Sequence, residues 1–432
     1  MFNKSIIVLA AGAGTRMKSD TPKVLHKISG KPMLYYSIKE ALKLSDDITV
    51  VLFHQAQRVQ SEMEKYFSNI NFVIQDHLNY PGTGGAVMNI TPKYSKVLVL
   101  NGDMPLIQSR ELEKFDIDAT IVMSVLELDS ADGYGRVIIE SGNVKKIVEQ
   151  KDANENELKV TTANAGIYQF ETNFLLENLP KLNNNNAQKE YYITDLVEMA
   201  IEQGKVLKPL AVNVENFKGV NSKVELADAE VIHQNRIKKD FMKEGVIMRL
   251  PDTIYIEEGV QIEGESIIEN GVSLLGNSKI INSHIKTNSV VEDSIVKDSD
   301  VGPMARIRPL SELNKTHIGN FVETKKAILN GVKAGHLSYL GDCSIDEGTN
   351  IGCGTITCNY DGVNKHQTII GKNVFVGSDT QFVAPVNIAD DVLIGAGSCV
   401  TGDVKKGELY LTRAKAKTID GYFYKHFSSK KK

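Results

Sequence analysis

The sequence lacks an excess of positive charge. Its 50 lysines and arginines face 54 aspartates and glutamates, a formal net charge of -4 with a pI near 6.2, which disfavours nucleic acid or a membrane surface as partner because both select a basic face. The closing run Lys430–Lys432 is too short to reverse that balance. No apolar run approaches the ~18 residues of a membrane span, and Met1–Ile7 leads into a strand pattern with no cleavable apolar segment. A cytoplasmic protein is expected. Cysteine is sparse: Cys343, Cys353, Cys358 and Cys399 have no CxxC spacing, so they read as small packing residues in a reducing compartment, with no strong metal pattern. What remains, 42% apolar and 24% charged residues over 432 positions, suits two or three globular domains.

The last third carries a period of six. Ile370, Val376, Phe382, Ile388, Ile394 and Val400 fall six apart, with Gly371, Gly377 and Gly395 after three of them. An apolar residue every sixth position, beside a small one, predicts short strands turning tight corners in a hexapeptide β-helix. The rhythm continues with slips through Val301, Ile307 and Leu313, through Ile345 and Ile351, and faintly from Val260 through Ser266 to Val272. The helix is expected over residues 250–410 and, at ~4.8 Å per strand, stands on the order of 40 Å tall.

The first half reads as α/β. Buried-strand runs at 5–10, 48–53, 72–75 and 97–100 alternate with helical stretches at 32–44, 56–67 and 85–89, predicting a mainly parallel Rossmann-like sheet. Shorter strands at 119–127, 136–139 and 166–170 suggest an added lobe, and Asn183–Asn186 a surface loop. An amphipathic pattern over Ser222–Glu244 predicts a long linker helix. The expected domains are residues 1–221, the linker 222–245, and 246–432.

Chemistry concentrates where strands end. Leu9-Ala10-Ala11-Gly12-Ala13-Gly14-Thr15-Arg16-Met17 follows the first strand, where a glycine-rich loop can aim N–H groups at phosphate. Arg16 and the lysine of Pro22-Lys23-Val24-Leu25 add two cations suited to a polyphosphate. In the repeat half, His336 in Gly335-His336-Leu337-Ser338 and the long stretch Thr357–Lys365 break the rhythm. Alone, His336 reads as structural; the cations near it argue for catalysis.

With Gln75, Gly82-Thr83, Asn101-Gly102-Asp103, Gly133-Tyr134-Gly135-Arg136, Glu149-Gln150-Lys151-Asp152, Glu190–Asp195 and Gly219-Val220-Asn221, the first half resembles the sugar-1-phosphate nucleotidylyltransferases. Followed by a hexapeptide domain, nearly the whole chain resembles the bifunctional bacterial family that combines N-acetylglucosamine-1-phosphate uridylyltransferase with glucosamine-1-phosphate N-acetyltransferase. The resemblance implies a uridine-nucleotide site at Leu9, Ala10, Ala11, Gly12, Gly14, Gln75, Gly82 and Thr83, with Arg16 and Lys23 on the phosphates. It implies Mg²⁺ (Mn²⁺ or Co²⁺ as alternatives) on Asp103 and Asn221, and sugar contacts at Gly135, Glu149, Asn164 and Asn221.

In the repeat half the resemblance implies a glucosamine-1-phosphate site at Arg308, Lys325, Tyr339, Asn350, Asn359, Tyr360 and Lys365. His336 becomes the general base, with Glu323 orienting the group, and acetyl-CoA meets Cys353, Ser378, Ala396 and Arg413. An imidazole suits removal of a proton from an amine attacking a thioester. The implied β-helix is left-handed, against the usual right-handed crossover, and the implied assembly is a homotrimer with acetyltransfer sites between subunits. Beyond Arg413, Ala414-Lys415-Ala416 departs from the family's proline-containing continuation. A single-activity nucleotidylyltransferase with a structural β-helix, and a non-catalytic scaffold, are the alternatives. The first leaves His336, Asn359, Tyr360 and Lys365 incidental; the second leaves Arg16, Lys23, Asp103 and Asn221 unexplained.

Overall fold

A computed structural model describes residues 3–131, 135–148, 153–186 and 188–428. The chain divides into two units, residues 1–234 and 235–432.

In the first unit the strands run Leu207–Val212, Ile121–Glu127, Thr162–Glu171, Lys96–Asn101, Lys4–Ala10, Ile48–Leu52 and Asn71–Ile74 across one sheet. The last four are mutually parallel, while Thr162–Glu171 runs antiparallel to both its neighbours. A hairpin of Arg136–Glu140 and Asn143–Val148 attaches to that strand. From Ile6 onward the first strand is apolar because both faces are covered: Ile6, Val8 and Ala10 enter one buried cluster and Ile7 the other. One helical expectation shifts. The turn of helix lies at Gly82–Gly85, ahead of the 85–89 stretch, which continues as turn; the hydrogen bond from the Gly84 amide to the Tyr191 carbonyl at 2.8 Å fixes it there.

Helix Lys223–Lys243 starts at Ser222, whose Oγ accepts from the Glu225 amide at 3.2 Å. Leu226, Ala229 and Ile232 pack with Ile28, Met33 and Tyr36 of the first unit. Its later turns, through Ile237 and Phe241, pack on the core of the second.

That core is a single column. The anticipated apolar positions Ile370, Val376, Phe382, Ile388, Ile394 and Val400 are all buried, as are Val260, Ser266 and Val272. Ten short parallel strands, from Ile247–Met248 to Leu409–Tyr410, build one sheet. The other two strand columns join in a second sheet through Glu323–Asn330 and Tyr339–Ile345. Each fully buried Ile or Val contributes roughly 1.5–3 kcal/mol, repeated coil after coil.

The slips in the rhythm have a physical source. Between Asn282 and Asp342 the corners carry left-handed residues, including Asn282, Asn288, Asp293 and Asp298, that tighten the turn. A buried small residue follows each: Ser283, Ser289, Ser294 and Ser299. These serines tie coils together. The Ser283 Oγ donates to the Ile281 carbonyl at 2.7 Å and accepts from the Ser299 amide at 3.1 Å, and the Ser299 Oγ accepts from the Thr316 amide at 2.9 Å. The hydroxyls thus satisfy corner amides that the strand ladder leaves over. The packing role expected of all four cysteines holds for Cys343, which is buried; Cys353 and Cys358 are half-buried, and Cys399 is exposed because it opens its strand on the outward side.

Candidate active sites

The loop after Lys4–Ala10 turns through Gly14 at φ 62°. A Cβ there would lie 2.5 Å from the Lys23 Cβ, so glycine alone lets the Lys23 segment close against the loop. Lys23 then ion-pairs with the Asp103 carboxylate and donates to the Asn221 Oδ1 at 2.8 Å, where Arg16 also donates at 2.8 Å. The sources are far apart in the chain. Asp103 lies just past strand Lys96–Asn101, and Asn221 just before helix Lys223–Lys243, where its own amide is held by Glu225 Oε2 at 2.7 Å.

A cavity of about 480 Å³ opens beside this cluster, lined by Leu9, Ala10, Ala11, Gly12, Gln75, Gly82 and Thr83 as well as Lys23 and Asp103. Gln75 is buried, and its amide nitrogen donates to the carbonyls of Tyr80 at 2.9 Å and Gly82 at 3.0 Å. That leaves its Oε1 as an acceptor. The Thr83 hydroxyl accepts from the Ile193 amide at 3.2 Å, tying the Glu190–Asp195 motif to the pocket wall.

The donor set suits a hard cation. Asp103 and Asn221 already converge oxygens on one positive charge, the Lys23 ammonium. Among the described residues no group of three His, Cys, Asp or Glu side chains could enclose a metal.

Asn164 and Gly135 meet: the Asn164 amide donates to the Gly135 carbonyl at 3.1 Å, at a bulge in strand Thr162–Glu171. They stand near the cavity through Asn101, whose Nδ2 donates to the Gly166 carbonyl at 3.1 Å. Glu149 lies outside the described residues.

In the second unit the anticipated residues separate onto two faces. On one, Arg308 follows strand Arg306–Ile307 and Lys325 stands beside it on Glu323–Asn330. Tyr339 lies on the next coil, its ring and hydroxyl filling the space a Gly341 Cβ would take. Glu323 binds Arg308 at 2.8 Å, orienting the guanidinium. Lys365, on the long loop, lowers the pKa of Lys325 through a side-chain hydrogen bond and its like charge, and lies over the Tyr360 ring at 6.0 Å. The loop is tied by Asp361, whose carboxyl is held down to about 2 by His366 at 2.7 Å and by the amides of Asn364 and Val363. Asn359 is buried and hydrogen-bonds Asp342. Lys325 and Lys365, crowded beside Arg308, are chemistry for an anion.

On the ten-stranded face, His336, Asn350, Cys353, Ser378, Ala396 and Arg413 line one cavity of about 610 Å³. Asn350 thus sits with the histidine and the acetyl-CoA positions, apart from the Arg308–Lys325 group. Among the described residues none hydrogen-bonds the His336 imidazole, which is exposed. Phe375 and Leu393 also line this cavity. Sequence reasoning missed them, and likewise Phe53 and His77 in the first cavity, where Asn101 and Glu190 of the quoted motifs also stand without an anticipated role. The available signal was period: Phe375 and Leu393 are outward positions that the repeat would leave polar.

The comparisons agree with both halves. The family model for a MobA-like NTP transferase domain matches residues 6–115. A protein of Aliarcobacter butzleri named bifunctional protein GlmU is 90% identical, each chain covering 100% of the other. Those of Wolinella succinogenes and Nitratiruptor sp. with the same name are 62% identical over 100% of both chains, and 60% identical over 98% of this chain and 99% of the relative. With a glycine loop, two cations and an oxygen pair in one unit and a cation-lined repeat in the other, this chain belongs to the bifunctional GlmU family.

Proposed function

We propose that the chain makes UDP-N-acetylglucosamine in two steps, acetylating glucosamine-1-phosphate from acetyl-CoA in residues 246–432 and transferring uridylyl from UTP in residues 1–221, with 222–245 as linker. The observation that carries the reading is the convergence of Arg16 and Lys23 on Asn221, with Asp103 paired to Lys23, beside the 480 Å³ cavity that Lys23 and Asp103 line.

In uridylyl transfer a phosphate oxygen of N-acetylglucosamine-1-phosphate attacks the α-phosphorus, a P–O bond forms, and the bond to the β-phosphate breaks to release pyrophosphate. Arg16 and Lys23 spread the charge that builds on the phosphates. Gly12 and Gly14 let the loop backbone approach the nucleotide. The Gln75 Oε1 matches the imide N–H of uracil, a donor that cytosine lacks at that position. Asn164, Gly135 and Glu149 hold the sugar. Asp103 and Asn221 would hold Mg²⁺, which would supply Lewis-acid neutralisation of phosphate charge.

In acetyl transfer the amine attacks the thioester carbonyl, the C–N bond forms, and the C–S bond breaks to release CoA thiol. His336 removes the amine proton. Arg308, Lys325 and Lys365 take the sugar phosphate, with Tyr339, Asn350, Asn359 and Tyr360 on the sugar. Acetyl-CoA runs along Cys353, Ser378, Ala396 and Arg413. His336 and Arg308 stand on different strand columns, which fits acetyltransfer sites formed between the subunits of a homotrimer. We place the enzyme in the cytoplasm; no helix among the described residues is long and apolar enough to cross a membrane.

The test is to incubate purified protein with glucosamine-1-phosphate, acetyl-CoA, UTP and Mg²⁺, following free thiol and pyrophosphate separately. Release of both with UDP-N-acetylglucosamine formed is expected. Pyrophosphate only when N-acetylglucosamine-1-phosphate is supplied would refute the acetyltransfer assignment.

A further inference from the structure

Two aromatic side chains stand at the nucleotide cavity with no role in the chemistry above. Phe53 follows strand Ile48–Leu52 and is 43% exposed. His77 follows strand Asn71–Ile74 and is also exposed. Their rings stack at a centroid distance of 4.3 Å and an interplanar angle of 23°. Both line the cavity together with Gln75 and Gly82. The backbone is braced at this edge: the Gln75 amide donates to the Leu52 carbonyl at 2.8 Å, the His77 amide to the Gln75 carbonyl at 2.9 Å, and the Gln75 side chain pins the following loop.

The exposure of one phenylalanine is by itself ordinary; its surroundings point to a ligand. Here one ring face is covered by an imidazole, and the pair borders a pocket at the carboxyl ends of parallel strands, where ligands bind in such sheets. A flat π surface beside an imide-recognising glutamine is chemistry for a nucleobase, because every base has a π face and stacking holds it in plane for the hydrogen bond. The phosphates have their own partners in Arg16 and Lys23, so the aromatic pair is free for the other end of the nucleotide.

We infer that Phe53 and His77 form a wall that packs against the pyrimidine of UTP, orienting the base for Gln75 and contributing to nucleotide affinity without touching the reacting phosphorus. The inference rests on the nucleotide-site reading above and adds two binding residues to it.

The chain has no tryptophan, so Phe53→Trp creates a single reporter. Uridine and UTP are expected to quench its fluorescence, while inorganic tripolyphosphate with Mg²⁺ leaves it unchanged. Phe53→Ala is expected to raise KM for UTP about tenfold with kcat within about twofold, leave KM for N-acetylglucosamine-1-phosphate unchanged, and spare acetyl transfer, which also reports that the protein is folded. Phe53→Leu, which keeps bulk without a π face, falls between wild type and Phe53→Ala, and His77→Ala gives a smaller rise. An unchanged KM for UTP in Phe53→Ala, or quenching by tripolyphosphate equal to that by UTP, overturns the inference while wild-type turnover leaves the nucleotide site standing. Failure of wild-type protein to release pyrophosphate from UTP would bring down both together.

Discussion

The two units bring functional side chains together by different means. In the first, the loops after the paired strands Lys4–Ala10 and Lys96–Asn101 bring Arg16, Lys23 and Asp103 together, and Asn221 joins them from the start of helix Lys223–Lys243, more than two hundred residues from Arg16. In the second, a coil advances by a fixed step, so neighbours in space are residues one coil apart, and side chains on different faces stay apart. Arg308 and Lys325 are neighbours for that reason, and His336 lies around the corner from them. An open sheet concentrates side chains at one place; a prism distributes them over separate faces.

If this contrast is right, each site fails alone. Asp103→Ala should lower pyrophosphate release by on the order of 10³-fold, through loss of phosphate charge stabilisation, with CoA thiol release unchanged. His336→Ala should lower thiol release by on the order of 10²–10⁴-fold and leave uridylyl transfer intact. Loss of both activities in either variant would break the separation.

Stability sharpens the same comparison. Ile307→Ala in the prism and Leu98→Ala in the sheet each empty a fully buried position, and each should cost about 2–5 kcal/mol by denaturant titration. The prism variant should disturb only acetyl transfer. Ser299→Ala removes a hydroxyl bonded on both sides of a corner and should cost about 1 kcal/mol.

Two smaller effects come from the prism's charges and thiols. Burial opposes ionisation of Glu269, but hydrogen bonds from the Thr287 hydroxyl and amide and from His284 outweigh it, and its carboxyl falls from 4.5 to about 2. A depressed carboxyl adds stability that is present above pH 4.5 and lost as pH falls towards 2. Glu269→Gln should therefore flatten the acid limb of the stability curve. Burial, with the charge of Asp342, pushes the Cys343 thiol up to about 12, so alkylation at neutral pH should modify exposed Cys399 and spare Cys343.

Much of this was legible in residue order. The six-residue period located the buried column because each inward position repeats at a fixed distance along the chain. The coils of 16 and 17 residues visible in the register from His284 to Asp300 and from Asp300 to His317 blurred it, because left-handed corners take one residue less. The glycine loop and its cations were legible as a local motif. The Phe53–His77 stack was not, since it joins residues from two strand ends whose adjacency is a property of sheet order.

The sequence by itself determined which residues alternate, repeat and break the repeat, because side-chain direction follows backbone period locally. Only the tertiary structure decided that Lys23 reaches both Asp103 and Asn221, that Glu323 pairs with Arg308, and that Asn350 shares a face with His336. Those are facts of strand order and coil register, set by packing between segments distant along the chain.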